Sequence, residues 1–261
     1  IESSVKPVRS WLAHNDILIT KRIKIKNVRQ APTLIDERVP TQEELKRIFL
    51  AATPKDRMCC LFMAHSGLRP ETLGNYHGHD GLRVRDLPEM KIENNTVTFE
   101  SVPTMVTVRH DLSKARHQYF TFLSEEGCEN LKVYLESRLK PGEKFGPDTD
   151  IISPKVGTKQ FVRTINIGDG IRSAIRKAGF KCRPYVLRAY FDTQLLLAES
   201  KGKITPAYRA FFMGHVGDIE ARYTTHKRSL PMELINDMRE AYKKCQPFLQ
   251  TNPSGGLSED E

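Results

Sequence analysis

Apolar residues recur along this chain at helical spacing, then at strand spacing, then at helical spacing again. Thr41-Gln42-Glu43-Glu44 fits a capping box, and Leu45, Ile48, Phe49 and Ala52 follow on one face. A second helix is expected over 55–65, where Cys59, Cys60, Leu61, Phe62 and Met63 leave little polar surface, so it should be buried. Alternation with β-branched and aromatic residues marks strands at 96–99, 105–108 and 118–122. Helices are expected again from about Ser124, over 168–178, 185–201 and 207–212. In the last of these, Thr205 and Pro206 form the start and Gly214 the stop. A long final helix begins at Ser229-Leu230-Pro231, with Leu234, Ile235, Met238, Ala241, Tyr242 and Cys245 as its stripe. The predicted class is mainly α with one small antiparallel sheet (α+β).

Composition divides the chain further. Residues 1–35 carry Trp11, Leu12, Ile17 and Ile19, then a basic run over 21–26, then Ala31-Pro32-Thr33 as a connector. They read either as the end of a preceding domain plus a linker or as a basic arm. The main domain is expected over 36–250, and 251–261, rich in Pro, Ser, Gly and acid, is expected to lack a fold. No internal repeat is visible. The first residue is Ile1, not Met, which suggests a fragment or processed product.

Charge narrows the partners. There are 41 basic and 32 acidic residues, a net charge of +9, which favours a polyanion. No apolar run reaches transmembrane length and no signal-peptide pattern is present, so an intracellular, cytoplasmic protein is the default expectation. The five cysteines form no Cys-x-x-Cys pair, and their odd number fits reduced thiols. The loop-like stretch 75–90 holds His77, His79 and Asp80, a combination able to bind a metal. No second cluster at metal spacing supports it, and neither metal nor cofactor is expected.

Four short stretches carry candidate chemistry. Ser66-Gly67-Leu68-Arg69-Pro70-Glu71 follows the second helix. Leu112-Ser113-Lys114 precedes the aromatic strand. Tyr185-Val186-Leu187-Arg188 opens a helix. Gly214-His215 is followed, eight residues after His215, by Tyr223. Taken singly, each has a plain reading. Arg69 could neutralise a helix C-terminus, Arg188 could form a surface ion pair and Lys114 could be a solvated hairpin lysine. Tyr185 and Tyr223 could be core, and His215 an ordinary helix-end histidine.

Taken in order, the four stretches resemble the tyrosine recombinases, the phage-type integrases. The first is similar to that family's Gly-Leu-Arg box, with Glu71 one position early. The stretch from Tyr185 to Thr193 is similar to its second arginine box, with Tyr185 where a His is usual. The Gly-His to Tyr interval is about one residue shorter than usual. The wording around Arg222-Tyr223 is similar to integrases of archaeal viruses and plasmids. The matches span roughly 39–245.

The resemblance implies the tyrosine recombinase catalytic-domain fold, double-stranded DNA as partner and a homotetramer on paired sites. It implies Tyr223 as nucleophile, Arg69, Arg188 and His215 on the phosphate, and Lys114 as acid for the 5′ oxygen. Tyr185 would stand beside the phosphate. It also implies that residues 1–35 close a DNA-binding domain and that the last helix docks on a neighbouring subunit. The chemistry suits the residue types. Two guanidinium forks can hold the non-bridging oxygens as charge moves onto them. Ionising a tyrosine of pKa about 10 at neutral pH costs roughly 4 kcal/mol, which nearby arginines offset in part. A 3′-phosphotyrosine conserves the bond energy, so rejoining needs neither ATP nor metal. Two rivals share parts of the pattern: a type IB topoisomerase, and a DNA-binding module of recombinase ancestry without catalysis.

Overall fold

The computed structural model describes residues 2–19, 37–140, 142–154, 159–215, 217, 219 and 230–252. Two compact units divide the chain, Ile1–Arg38 and Val39–Glu261. In the first, helix α1 spans Glu2–His14, with Trp11 exposed. The boundary expected at 35/36 lies outside the described residues.

The second unit is built around a buried helix. Helix α2 (Gln42–Ala51) starts with the capping box expected at Thr41, Glu44 donating its N–H to the Thr41 hydroxyl and accepting from the Thr41 N–H. Helix α3 (Pro54–Ser66) is buried from Met58 through Ser66. A helix apolar all round has no solvent face to keep, so it becomes the centre of a core. Its start is fixed by the Thr53 hydroxyl and Pro54, and its end by Gly67 at φ 64°. A side chain could not replace Gly67, because a Cβ there would stand 2.4 Å from the Phe191 ring. The four-residue helix α4 (Pro70–Leu73) follows.

The sheet differs from expectation. Two separate antiparallel ladders form: β1 (Met90–Glu93) with β2 (Thr96–Phe99), and β3 (Thr104–Val108) with β4 (Tyr119–Leu123). Strand β1 lies where sequence patterning ends a loop. Its turn, Asn94-Asn95, holds φ values of 50° and 62°, the two-residue hairpin turn that asparagine tolerates. In β4 all five residues are buried. One side meets α3 and the other meets α8, so inside-outside alternation is lost.

Helix α5 (Glu125–Leu139) is capped by Ser124. Helix α6 (Thr164–Lys177) starts four residues before the expected point, with Ile167, Ile171, Ala174 and Ile175 on its buried stripe. Gly168 and Gly170 weaken the helical signal there, but Gly170 sits against Asp56, where a Cβ would come within 2.1 Å of the carboxylate. Helices α7 (Val186–Ser200), α8 (Pro206–Phe212) and α9 (Met232–Leu249) complete the unit.

The stripe of α9 packs on its own chain. Met238, Tyr242, Cys245 and Leu249 are buried, and the Tyr242 hydroxyl donates to the His65 carbonyl at the end of α3. Tyr190 on α7 donates to the carbonyls of Phe248 and Leu249. Gln42 Nε2 donates to the carbonyls of Pro247 and Gln250, satisfying groups at the helix end that would otherwise lack partners. The chain after α9 continues along α5. Thr251 and Asn252 donate to the Glu126 carboxylate, while 253–261 lie outside the described residues. Among the described residues no helix is long and apolar enough to cross a membrane.

Candidate active site around Arg188

Arg188 lies in the first turn of α7 and is only 1% exposed, not on the surface as an ion-pair reading requires. Its Nη1 donates to the carbonyl of Gly67, and its Nη2 to the carbonyl of Met213 at 2.6 Å. Gly67 is the C-cap of α3 and Met213 the C-cap of α8. Both carbonyls sit at the negative ends of helix dipoles, where a cation is favoured. The buried charge therefore has two oriented acceptors. Burial lowers the Arg188 pKa, opposed by the hydroxyls of Tyr119 and Tyr185. An arginine remains cationic throughout.

The two tyrosines approach from different elements. Tyr185 is the N-cap residue of α7 and is 52% exposed, with its hydroxyl within electrostatic reach of Arg188. The core reading of Tyr185 is thereby corrected. Tyr119 is the first residue of β4, is buried and also lies beside the Arg188 charge. Sequence reading takes it only as strand core. In a five-residue strand buried on both faces, no alternation marks which ring points at an arginine.

Arg69 is half-buried at the N-cap of α4, just past Gly67. Its charge is felt by Tyr119, Arg188 and His215. The neighbouring Glu71 is exposed.

His215 ends the turn after α8. Thr205 and Pro206 start that helix as expected, and Gly214 stops it at φ 62°. Gly214 N–H donates to Phe211 and His215 N–H to Ala210, a paired closure of the last turn that fixes where the imidazole emerges. The imidazole is exposed at the rim. Partial desolvation lowers its pKa, the Arg188 charge lowers it further, and Asp192 acts in the opposite direction. Helices α7 and α8 are pinned together by Arg209, which donates to Asp192 at 2.8 Å and Glu199 at 2.6 Å. Aromatic edges seat α8 on β4: Phe211 on Phe120 at 5.0 Å and Phe212 on Phe122 at 5.6 Å.

Lys114 is exposed in the turn between β3 and β4 and is not among the hydrogen-bond partners of Arg188. The base of that turn is rigid. Arg109 donates to Asp86 and Asp80, and Thr72 donates to the Leu112 carbonyl. The same network removes Asp80 from the metal reading, because its carboxylate serves Arg83 and Arg109. His77 and His79 stack on one another at 5.8 Å. Among the described residues no three His, Cys, Asp or Glu side chains gather at metal-binding distance. Tyr223 lies outside the described residues. The structure thus gathers Arg69, Arg188, Tyr185 and His215, adds Tyr119, and leaves Lys114 at the nearby hairpin end.

No family model and no curated protein matches the chain. Solved structures do. XerA recombinase is 20% identical, with 90% of this chain and 72% of that one covered at a TM-score of 0.50. The fold is that of a tyrosine recombinase catalytic domain. The integrase from mycobacterium phage Brujita is 17% identical, covering 92% of this chain and 68% of that one at a TM-score of 0.49. XerH bound to its difH substrate is 16% identical, covering 77% of this chain and 54% of that one at a TM-score of 0.45.

Proposed function

We propose that this chain is a site-specific DNA recombinase that cleaves and rejoins strands through a 3′-phosphotyrosine on Tyr223. The observation that carries the reading is the convergence of Arg69, Arg188, Tyr185 and His215 on the ends of α3 and α8. Two arginines, one deeply anchored and one half-buried, are suited to one phosphodiester. Their donors face charge that grows as the tyrosine oxygen attacks phosphorus. Arg188 arrives pre-oriented, because its inner donors are already bonded to Gly67 and Met213.

Tyr185 gives the phosphate a way in. Tyr185 is half-exposed, so a DNA oxygen can take the place of its hydroxyl beside Arg188 without unburying the carbonyls of Gly67 and Met213. His215, biased towards its neutral form, can take the Tyr223 proton or hold a phosphate oxygen. Lys114 is the candidate donor to the departing 5′ oxygen. The +9 net charge supports DNA as partner, and paired sites would be bound by a homotetramer. The archaeal virus and plasmid resemblance around Arg222-Tyr223 makes such an integrase the closer form of this proposal.

A second reading, a DNA-binding module without catalysis, draws support from Tyr185 in the usual His position and from the two carbonyls that already hold Arg188. One experiment separates the two. A nicked suicide DNA substrate that loses its 5′ end after cleavage should trap a covalent complex, and should do so in excess EDTA. DNA binding without any covalent complex would favour the module, and an EDTA-sensitive reaction restored by a divalent ion would return attention to His77 and His79.

A further inference from the structure

Tyr119 is joined to both halves of the cluster. It opens β4 opposite Val108, on the hairpin that carries Lys114 in its turn. Its hydroxyl stands beside the Arg188 guanidinium, close enough for each to shift the other's proton affinity. Its ring lies against Gly214, so close that a Cβ there would stand 2.5 Å from Cζ and 2.9 Å from the hydroxyl oxygen. At 1% exposure it cannot itself meet a DNA strand.

We propose that Tyr119 is a positioning residue of the phosphate clamp: its hydroxyl fixes the Arg188 guanidinium and its ring sets the Gly214 turn that presents His215. This rests on the recombinase reading above. The carbonyls of Gly67 and Met213 take one donor on each Nη, and both belong to helix ends. A phenol from the sheet, set beside the guanidinium, limits the remaining freedom of the planar group to tilt. The chemical type of that neighbour matters. Burial raises the Tyr119 pKa, the two arginines oppose the rise, and the net result keeps it a neutral phenol. A neutral neighbour orients the guanidinium and leaves its charge for the phosphate. A carboxylate in the same place would neutralise the charge that catalysis needs.

The test uses the full chain and Tyr119→Phe, which keeps the ring and its packing. Single-turnover adduct formation on a suicide substrate should fall about ten- to a hundredfold, as expected when a polar contact to a charged group is lost. A substrate with one non-bridging oxygen replaced by methyl carries no charge at the scissile phosphorus and has less need of an oriented arginine. On it, Tyr119→Phe and the unaltered chain should react at similar rates. An equal deficit on both substrates would show a general structural fault and overturn the assignment, as would wild-type rates on both. An NMR readout stands apart from activity. The Nε–H exchange of Arg188, assigned with Arg188→Lys, should quicken in Tyr119→Phe. Unchanged exchange contradicts the contact. An unaltered chain that forms no adduct while Arg188 exchange does quicken contradicts the recombinase reading, and with it the catalytic half of this inference.

Discussion

Arg188 Nη2 donates to the carbonyl of Met213 at 2.6 Å, which fastens the first turn of α7 to the residue just before the Gly214-His215 turn. An arginine buried at the core end of one helix is thus held by the end of another. The position of His215 and the direction of the guanidinium are set together.

That turn tolerates little change. Gly214 has φ 62° and lies within van der Waals reach of the Tyr119 ring. Gly214→Ala combines a left-handed backbone with a Cβ inside the ring's volume, and should cost roughly 2 kcal/mol or more of stability. Thermal unfolding checks it. A neutral outcome would mean that the ring moves freely and that the turn is not locked.

His65 predicts an acid limit to stability. It is fully buried on α3, its Nδ1 is 2.7 Å from the Ser124 hydroxyl, and burial pushes its imidazole down to about 4. The unfolded chain protonates His65 near 6.5, so between these values the unfolded state holds more protons. Its contribution is therefore complete above 6.5 and is lost as pH falls towards 4, by roughly 3 kcal/mol at about 1.36 kcal/mol per tenfold. Urea unfolding at about pH 7 and about pH 4.5 measures the loss. His65→Asn, which keeps an acceptor for Ser124 and cannot titrate, should lose less over the same range. Identical pH profiles would remove His65 as the cause.

Helix α9 is structural in its own chain. Truncation before it removes Tyr242 from the His65 carbonyl and Phe248 and Leu249 from Tyr190. Removing residues from 230 onward should therefore unfold or strongly destabilise the second unit, not merely weaken pairing of DNA sites. Circular dichroism with sedimentation distinguishes the two. A folded truncated chain that still binds a single site would contradict the packing.

Helix ends and the buried helix were legible in the sequence because their signals are local. Thr41-to-Glu44, Thr205-Pro206 and Gly214 mark their turns whatever surrounds them. The stretches around Arg69 and Arg188 stood out as an ordered pattern, and the structure places the two arginines within electrostatic reach of each other. Four features were not legible. Strand β1 is joined to β2 by Asn94-Asn95, whose signal is a backbone tolerance and not a hydrophobic one. Helix α6 hides its first turn behind Gly168 and Gly170, the second of which allows close approach to Asp56. Tyr119 and the cis-side docking of α9 depend on contacts between residues far apart in the chain, such as Tyr119 with Gly214 and Tyr242 with His65.

Lys114 invites a chemical test. As general acid it would protonate the departing 5′ oxygen, so Lys114→Ala should slow cleavage by about 10²–10⁴-fold. Sulfur in place of the bridging 5′ oxygen leaves as thiolate without a proton. It should restore cleavage to Lys114→Ala and fail to restore Arg188→Ala, whose defect concerns the non-bridging oxygens. If sulfur does not rescue Lys114→Ala, the acid is elsewhere, with Lys91, Arg116 and His117 next in order.

The most direct measurement concerns Tyr223. The full chain is reacted with a suicide DNA substrate, digested, and the DNA-linked peptide mapped by mass spectrometry. The account predicts one phosphotyrosyl peptide, modified at Tyr223, and no adduct from Tyr223→Phe although that variant binds DNA as tightly as the unaltered chain. An adduct on another residue, or one formed by Tyr223→Phe at the unaltered rate, would contradict it.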